Sequence, residues 1–171
     1  MKKENKKWKI SEFIDKIGII SFPEYQREPN VWDLKKRQRL IDSILREIDI
    51  SSIYLYRNED NYYDCVDRRQ RLNSILSYAN KNTADEQYNG FSVTTINEIY
   101  NDDLDLESIK DMKIGDLPEK FREKFYNYEI SVVELSEVEN PLELNLFFLR
   151  LQLGQILNSG EKLNSNSRCF T

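Results

Sequence analysis

Tyr62-Tyr63-Asp64-Cys65-Val66-Asp67-Arg68-Arg69-Gln70-Arg71-Leu72 joins two different kinds of sequence. An aromatic and β-branched run ends at a carboxylate, and three arginines and a glutamine follow at once. Leu72, Ile75, Leu76 and Ala79 then recur at helical spacing, which predicts an amphipathic helix over 68–78. A strand feeding directly into a helix places the junction at a helix N-terminus, where free amides and the macrodipole favour anions. Arginines around such a junction make phosphate the natural ligand. The same residues also suit a plain capping box, with Asp67 holding the Gln70 amide and Gln70 reaching back. Arg68 and Arg69 are then ordinary solvated charges, and these residues alone leave both readings open.

Working upstream, residues 53–57 and 62–66 read as two strands around the polar turn Asn58-Glu59-Asp60-Asn61, a hairpin. Asp33 caps a predicted helix to about Glu47, with Leu34, Leu40, Ile41, Ile44, Leu45 and Ile48 on one face. The other face carries Lys35, Lys36, Arg37, Arg39 and Arg46. Such a stripe is most often a solvated surface; its functional reading is a DNA contact through Lys35, Lys36, Arg37 and Arg39. Before Trp32 lies a polar loop bracketed by Pro23 and Pro29. Ser11 can cap a short helix that buries Phe13, Ile14 and Ile17, with Gly18 as its left-handed C-terminal residue. Residues 19–22 suit a short strand.

Downstream, residues 81–116 are polar and acidic and suit one or two helices joined by loops. Residues 118–126 predict a helix and 130–135 a strand. Asn140-Pro141-Leu142-Glu143 is a helix start with an Asn cap, Pro at the first position and Glu at the third. The residues that follow are nearly all apolar, so this helix is expected to be central and buried. Arg150 inside it then needs a partner, with Asp67 the first candidate and a bound anion the second.

The 171 residues are enough for one domain with a sizeable core. Residues 1–163 are read as that single domain and 164–171 as a polar tail. No apolar run is long enough to span a bilayer, and the lysine-rich start lacks the apolar stretch of a signal peptide. Cys65 and Cys169 are far apart without metal-type spacing, so a reduced, cytoplasmic setting is expected. The absence of histidine removes His-based nuclease and hydrolase chemistry and most zinc sites. The net charge of −5 is uneven: residues 1–81 carry 17 Lys and Arg against 13 Asp and Glu, and 82–171 carry 8 against 17. A basic face contributed by the first half follows, so any nucleic-acid contact should be local.

Three separated pieces carry a family resemblance. Phe22-Pro23-Glu24-Tyr25-Gln26-Arg27, Trp32 and Leu40-Ile41-Asp42-Ser43-Ile44-Leu45 form the first piece, and residues 66–72 the second. Phe148-Leu149-Arg150-Leu151 with Leu157-Asn158-Ser159-Gly160 form the third. Together they resemble the N-terminal domain of GmrSD-type restriction endonucleases, with its "DGxQR" signature, over about residues 11–163. The resemblance implies a ParB/sulfiredoxin-like α/β fold, a small mixed sheet with surrounding helices, whose strand–helix junction binds nucleotide phosphates. It also implies a role in restriction and phage defence, with a His-dependent nuclease half as the usual partner, fused or separate.

Carried over residue by residue, it assigns Gln26, Arg27, Arg71 and Arg150 to phosphate and Asp67 and Gln70 to water or metal positioning, with a nucleoside triphosphate and Mg as the implied ligands. Arg68 departs from the family glycine. It either forbids the backbone conformation that glycine permits or places a built-in cation at the phosphate site. The functional expectation is a nucleotide-binding, DNA-sensing regulatory domain without its nuclease half, with NTP hydrolysis left open. A DNA-binding module without turnover, and a decoy that pairs with a full-length relative, are the alternatives. DNA cleavage by the chain itself is not expected, since histidine is absent and the acidic residues 102, 103, 105 and 107 form no metal frame.

Overall fold

The chain, seen in a computed structural model, is described over residues 1–23, 31–81, 88–94 and 106–166, with side chains of the last helix through Leu153. In chain order the elements are β1 (Lys2–Lys9), α1 (Ile10–Asp15), β2 (Ile20–Ser21), α2 (Leu34–Leu45), β3 (Ile53–Arg57), β4 (Tyr63–Asp67), α3 (Arg69–Tyr78), α4 (Glu119–Asn127), β5 (Glu129–Ser136) and α5 (Pro141–Asn166). The strands form one mixed sheet in the order β1-β5-β3-β4-β2. The β1–β5 and β3–β4 pairs are antiparallel, while β3–β5 and β2–β4 are parallel. The α/β expectation holds.

Alternation along the strands gives the sheet two buried faces. Ile53 and Leu55 of β3, Cys65 of β4, and Ile130 and Val132 of β5 join the main core with Phe13, Ile41, Ile44, Leu72, Ile75, Phe121 and Phe125 of the four shorter helices. Val66, Val133 and Leu135 face the other way, where Leu144, Phe147 and Phe148 of α5 pack on them. The β3–β4 hairpin forms as expected; the Asn58 side chain accepts from the Asp60 and Tyr62 amides and closes the turn. Asp33 caps α2 by accepting from the Lys36 amide, and the Asn140 side chain accepts from the Leu142 amide at the start of α5.

The structure adds one element and corrects four expectations. Lys2–Lys9, a lysine-rich start for which no element was expected, is an eight-residue edge strand on β5. Its lysines suit an edge that must not recruit another strand. The first helix starts at Ile10 rather than after Ser11, with the Lys9 amide donating to the Glu12 carboxylate at 2.7 Å. Gly18 sits in a 3₁₀ turn without left-handed backbone. On α2 the inner face is shifted: Arg37 is fully buried, on the helical face of Ile41 and Ile44, whereas Leu34 is exposed.

The last correction concerns α5, which is not a buried central helix. Only one of its faces lies on the sheet; Leu142, Leu146, Leu149 and Leu153 are 62%, 58%, 53% and 57% exposed. Arg150 shares the open side and is exposed as well, so it has no need of a buried partner. α5 runs from Pro141 to Asn166. Among the described residues, no helix is long and apolar enough to cross a membrane.

Candidate functional site

The β4–α3 junction is built by two backbone irregularities in succession. Leu55 pairs with Cys65, but Tyr54 pairs with Asp67, so one extra residue enters β4 just before Asp67. Bulges of this kind re-aim side chains and end pairing. Arg68 then takes φ 67° and ψ 28°, the left-handed region, and α3 starts at Arg69. The substitution for the family glycine has therefore not forbidden the conformation that glycine serves. The chain keeps the turn and bears its cost, roughly 1–2 kcal/mol for an L residue. The Arg68 side chain folds back, with Nε 3.2 Å from Asp67 Oδ2.

That geometry bears on the capping-box reading of the junction. Arg68, the residue flanking α3, makes no side-chain cap bond, and the Gln70 carbonyl oxygen Oε1 accepts from the Trp32 amide at 3.4 Å. The capping box does not form. Asp67, expected to position water or Mg, is buried against Arg68 with a side chain only 3% exposed. The three arginines diverge: Arg68 turns to Asp67, Arg69 lies 5.6 Å from the Phe22 ring, and Arg71 donates from Nη1 to the Ser51 carbonyl at 3.0 Å.

Arg71 thereby reaches a cleft of about 240 Å³ between α3 and α2. Lys36 and Arg39 line it from α2, Trp32 from the segment before that helix, and Asp49 and Ser51 from the loop before β3. Three cations meet one carboxylate there. Lys36 lies 4.6 Å over the Trp32 ring, and two buried residues hold the Trp32 backbone. Gln70 accepts from its amide, and Arg37 Nε donates to its carbonyl at 3.1 Å. Arg37 also stacks 4.3 Å over the Tyr88 ring. Its expected DNA contact is thus corrected: it is a packing residue beneath the cleft. The loop carrying Asp49 and Ser51 is fixed by Tyr128, whose hydroxyl donates to the Ile48 carbonyl at 2.7 Å and accepts from the Ile50 amide. Burial raises the pKa of this phenol, so it remains a donor.

The sequence-derived site is therefore partly assembled. Arg71, Lys36 and Arg39 come together, and Lys35 is exposed on the same helix. Asp67, Arg68 and Gln70 adjoin the cleft from within the junction but do not line it. Arg150 is exposed on α5, and Gln26 and Arg27 lie outside the described residues. Sequence reading missed Trp32, Asp49 and Ser51 as cleft residues. The only available signal was Trp32 ahead of a basic helix, an arrangement suited to a stacked base beside phosphates.

The volume is below the 300–1,000 Å³ of common ligand pockets, as suits a phosphate group rather than a whole nucleotide. Among the described residues no cluster of three metal ligands exists. The GmrSD restriction endonuclease N-terminal domain family model matches residues 10–167. No curated protein and no solved structure matches the chain.

Proposed function

Since the chain belongs to the GmrSD restriction endonuclease N-terminal domain family, a role in restriction defence is its starting point, and we propose that it acts there as a phosphate-sensing domain. In this reading a nucleotide docks its phosphates against Lys36, Arg39 and Arg71, beside Trp32. The observation that carries it is the convergence of those three cations on one cleft. Arginine supplies a planar two-pronged donor to phosphate and lysine a mobile point charge. Each occupies a fixed element, so little has to reorganise on binding.

Sensing is favoured over turnover. The pair that the resemblance assigns to orienting water is engaged, Asp67 against Arg68 and Gln70 with Trp32, which leaves Asp49 as the one cleft carboxylate for the task that hydrolysis requires. The bound state would be read by a nuclease partner. A direct DNA contact is the second reading, favoured by the exposure of Lys35, Lys36 and Arg39 along one helix. Both use phosphate, so binding should fall steeply with salt in either case.

Isothermal titration with nucleoside mono-, di- and triphosphates, inorganic phosphate and duplex DNA separates the two, with phosphate release followed in parallel. The proposal expects saturable nucleotide binding that Arg71→Ala and Lys36→Ala abolish, without phosphate release. Duplex binding without nucleotide binding would favour the second reading. Nucleotide binding indifferent to both substitutions would overturn the cleft assignment.

A further inference from the structure

Leu142, Leu146, Leu149 and Leu153 stand on the open side of α5 at spacings of four, three and four residues, all more than half exposed. That alternation is the a/d seam of a coiled coil, which keeps one stripe facing a partner helix turn after turn. In sequence the same spacing reaches Ile156, meets Gly160 and resumes at Leu163. The helix of 26 residues is about 39 Å long, enough for more than three heptads. Its opposite face is already committed to the sheet through Leu144, Phe147 and Phe148. An apolar stripe of this size on an otherwise charged surface marks an interaction site.

We propose that this seam pairs antiparallel with the same helix of a second copy of the chain. The flanking charges choose both the partner and the direction. With the leucines at a and d, Glu143 and Arg150 take the e positions, and the g positions hold the neutral Asn145 and Gln152. In a parallel pair e meets g, so Arg150 would face Asn145 and no opposite charges would meet. In an antiparallel pair e meets e. Setting Leu146 against Leu149 of the other copy, and Leu142 against its Leu153, brings Glu143 opposite Arg150 twice by symmetry. Glu143 now lies 3.6 Å from the Met1 amino group with its side chain 42% exposed, and so can change partner at little cost. The two sheets would flank the paired helices from outside, leaving both cationic clefts clear of the seam residues.

The test is sedimentation equilibrium of the full chain across concentration, with circular dichroism as a fold check. The proposal expects a reversible dimer, lost in Leu146→Glu and Leu149→Glu. Glu143→Arg and Arg150→Glu should each weaken it at least about tenfold by placing like charges opposite one another, and the double swap E143R/R150E should restore it. A wild-type monomer at all concentrations would overturn the proposal. So would a dimer unaffected by the leucine substitutions, or one in which the double swap is no better than the singles, which would point to a parallel pair or to a different face. A folded wild-type monomer that instead binds a nuclease half through Leu146 and Leu149 would assign the seam to that partner.

Discussion

Replacing Arg68 by glycine sets two effects of known sign against each other. Arg68 holds φ 67°, where an L residue is disfavoured by about 1–2 kcal/mol and glycine is not. Glycine returns roughly 0.4–1 kcal/mol of this through the greater freedom of its unfolded chain. The backbone gain is therefore about 0–1.6 kcal/mol. Against it stands the ion pair with Asp67, whose carboxylate is 3% exposed while Arg68 is 25% exposed. Stranding one member of a fully buried pair costs about 3–5 kcal/mol; with one partner a quarter exposed and screened, about 1–3 kcal/mol is the appropriate scale.

Loss should thus exceed gain, leaving Arg68→Gly about 1 kcal/mol less stable, a fall in Tm of roughly 2–4 °C at this chain length. Adding Asp67→Asn removes the stranded charge, so the double variant should recover wild-type stability or surpass it. Urea unfolding of the four proteins closes the cycle. An Arg68→Gly variant more stable than wild type, unaffected by Asp67→Asn, would refute the claim that Arg68 neutralises Asp67.

Three further outcomes are expected. Arg37→Ala should destabilise the fold by several kcal/mol, on the scale of an emptied buried site, while leaving the salt slope of any residual ligand binding unchanged; a folded variant with a reduced slope would return Arg37 to the ligand. Lys35→Ala should weaken nucleotide binding far less than Arg71→Ala in titration calorimetry, because Lys35 does not line the cleft. Glu134 is 1% exposed between Lys6 and Arg57; burial pushes its pKa up, but the hydrogen bonds from those two cations outweigh it, and the net shift is downward from 4.5. A carboxyl depressed in the folded state adds stability above its ordinary pKa and loses it as pH falls through the folded one. Glu134→Gln should therefore flatten the acid limb below about pH 4.5 relative to wild type, read from Tm against pH.

The elements with strong local signals were legible in the sequence. The hairpin, the Asp33-capped helix, the strand–helix junction and the Asn140-Pro141 helix start each follow from a cap, a turn or an uninterrupted period. Lys2–Lys9 was not legible, because an edge strand needs little apolar surface and its pairing with β5 is tertiary. Arg37 and Arg150 exchanged places for a related reason. A charged residue on a helix reads as exposed and one among leucines as buried. The actual face, however, is set by what packs against it: Tyr88 and Trp32 over Arg37, and, among the described residues, no neighbouring layer over Leu142, Leu146, Leu149 and Leu153 of α5. The cleft was half legible, since helical spacing gave Lys36, Arg39 and Arg71. Asp49 and Ser51 enter only because Tyr128 pins their loop, a contact between residues 78 positions apart.

Trp32 offers the most direct measurement of the cleft itself. The chain has two tryptophans, and Trp8 is buried in the main core against Phe13 and Tyr63, so Trp8→Phe leaves Trp32 as the sole reporter. Titrating that variant with a nucleoside triphosphate should change its emission saturably. The midpoint should rise with salt, and the change should vanish when Arg71→Ala is added. A flat titration of the folded Trp8→Phe protein, with nucleotide binding still detectable by calorimetry, would place the phosphate site elsewhere and contradict the account.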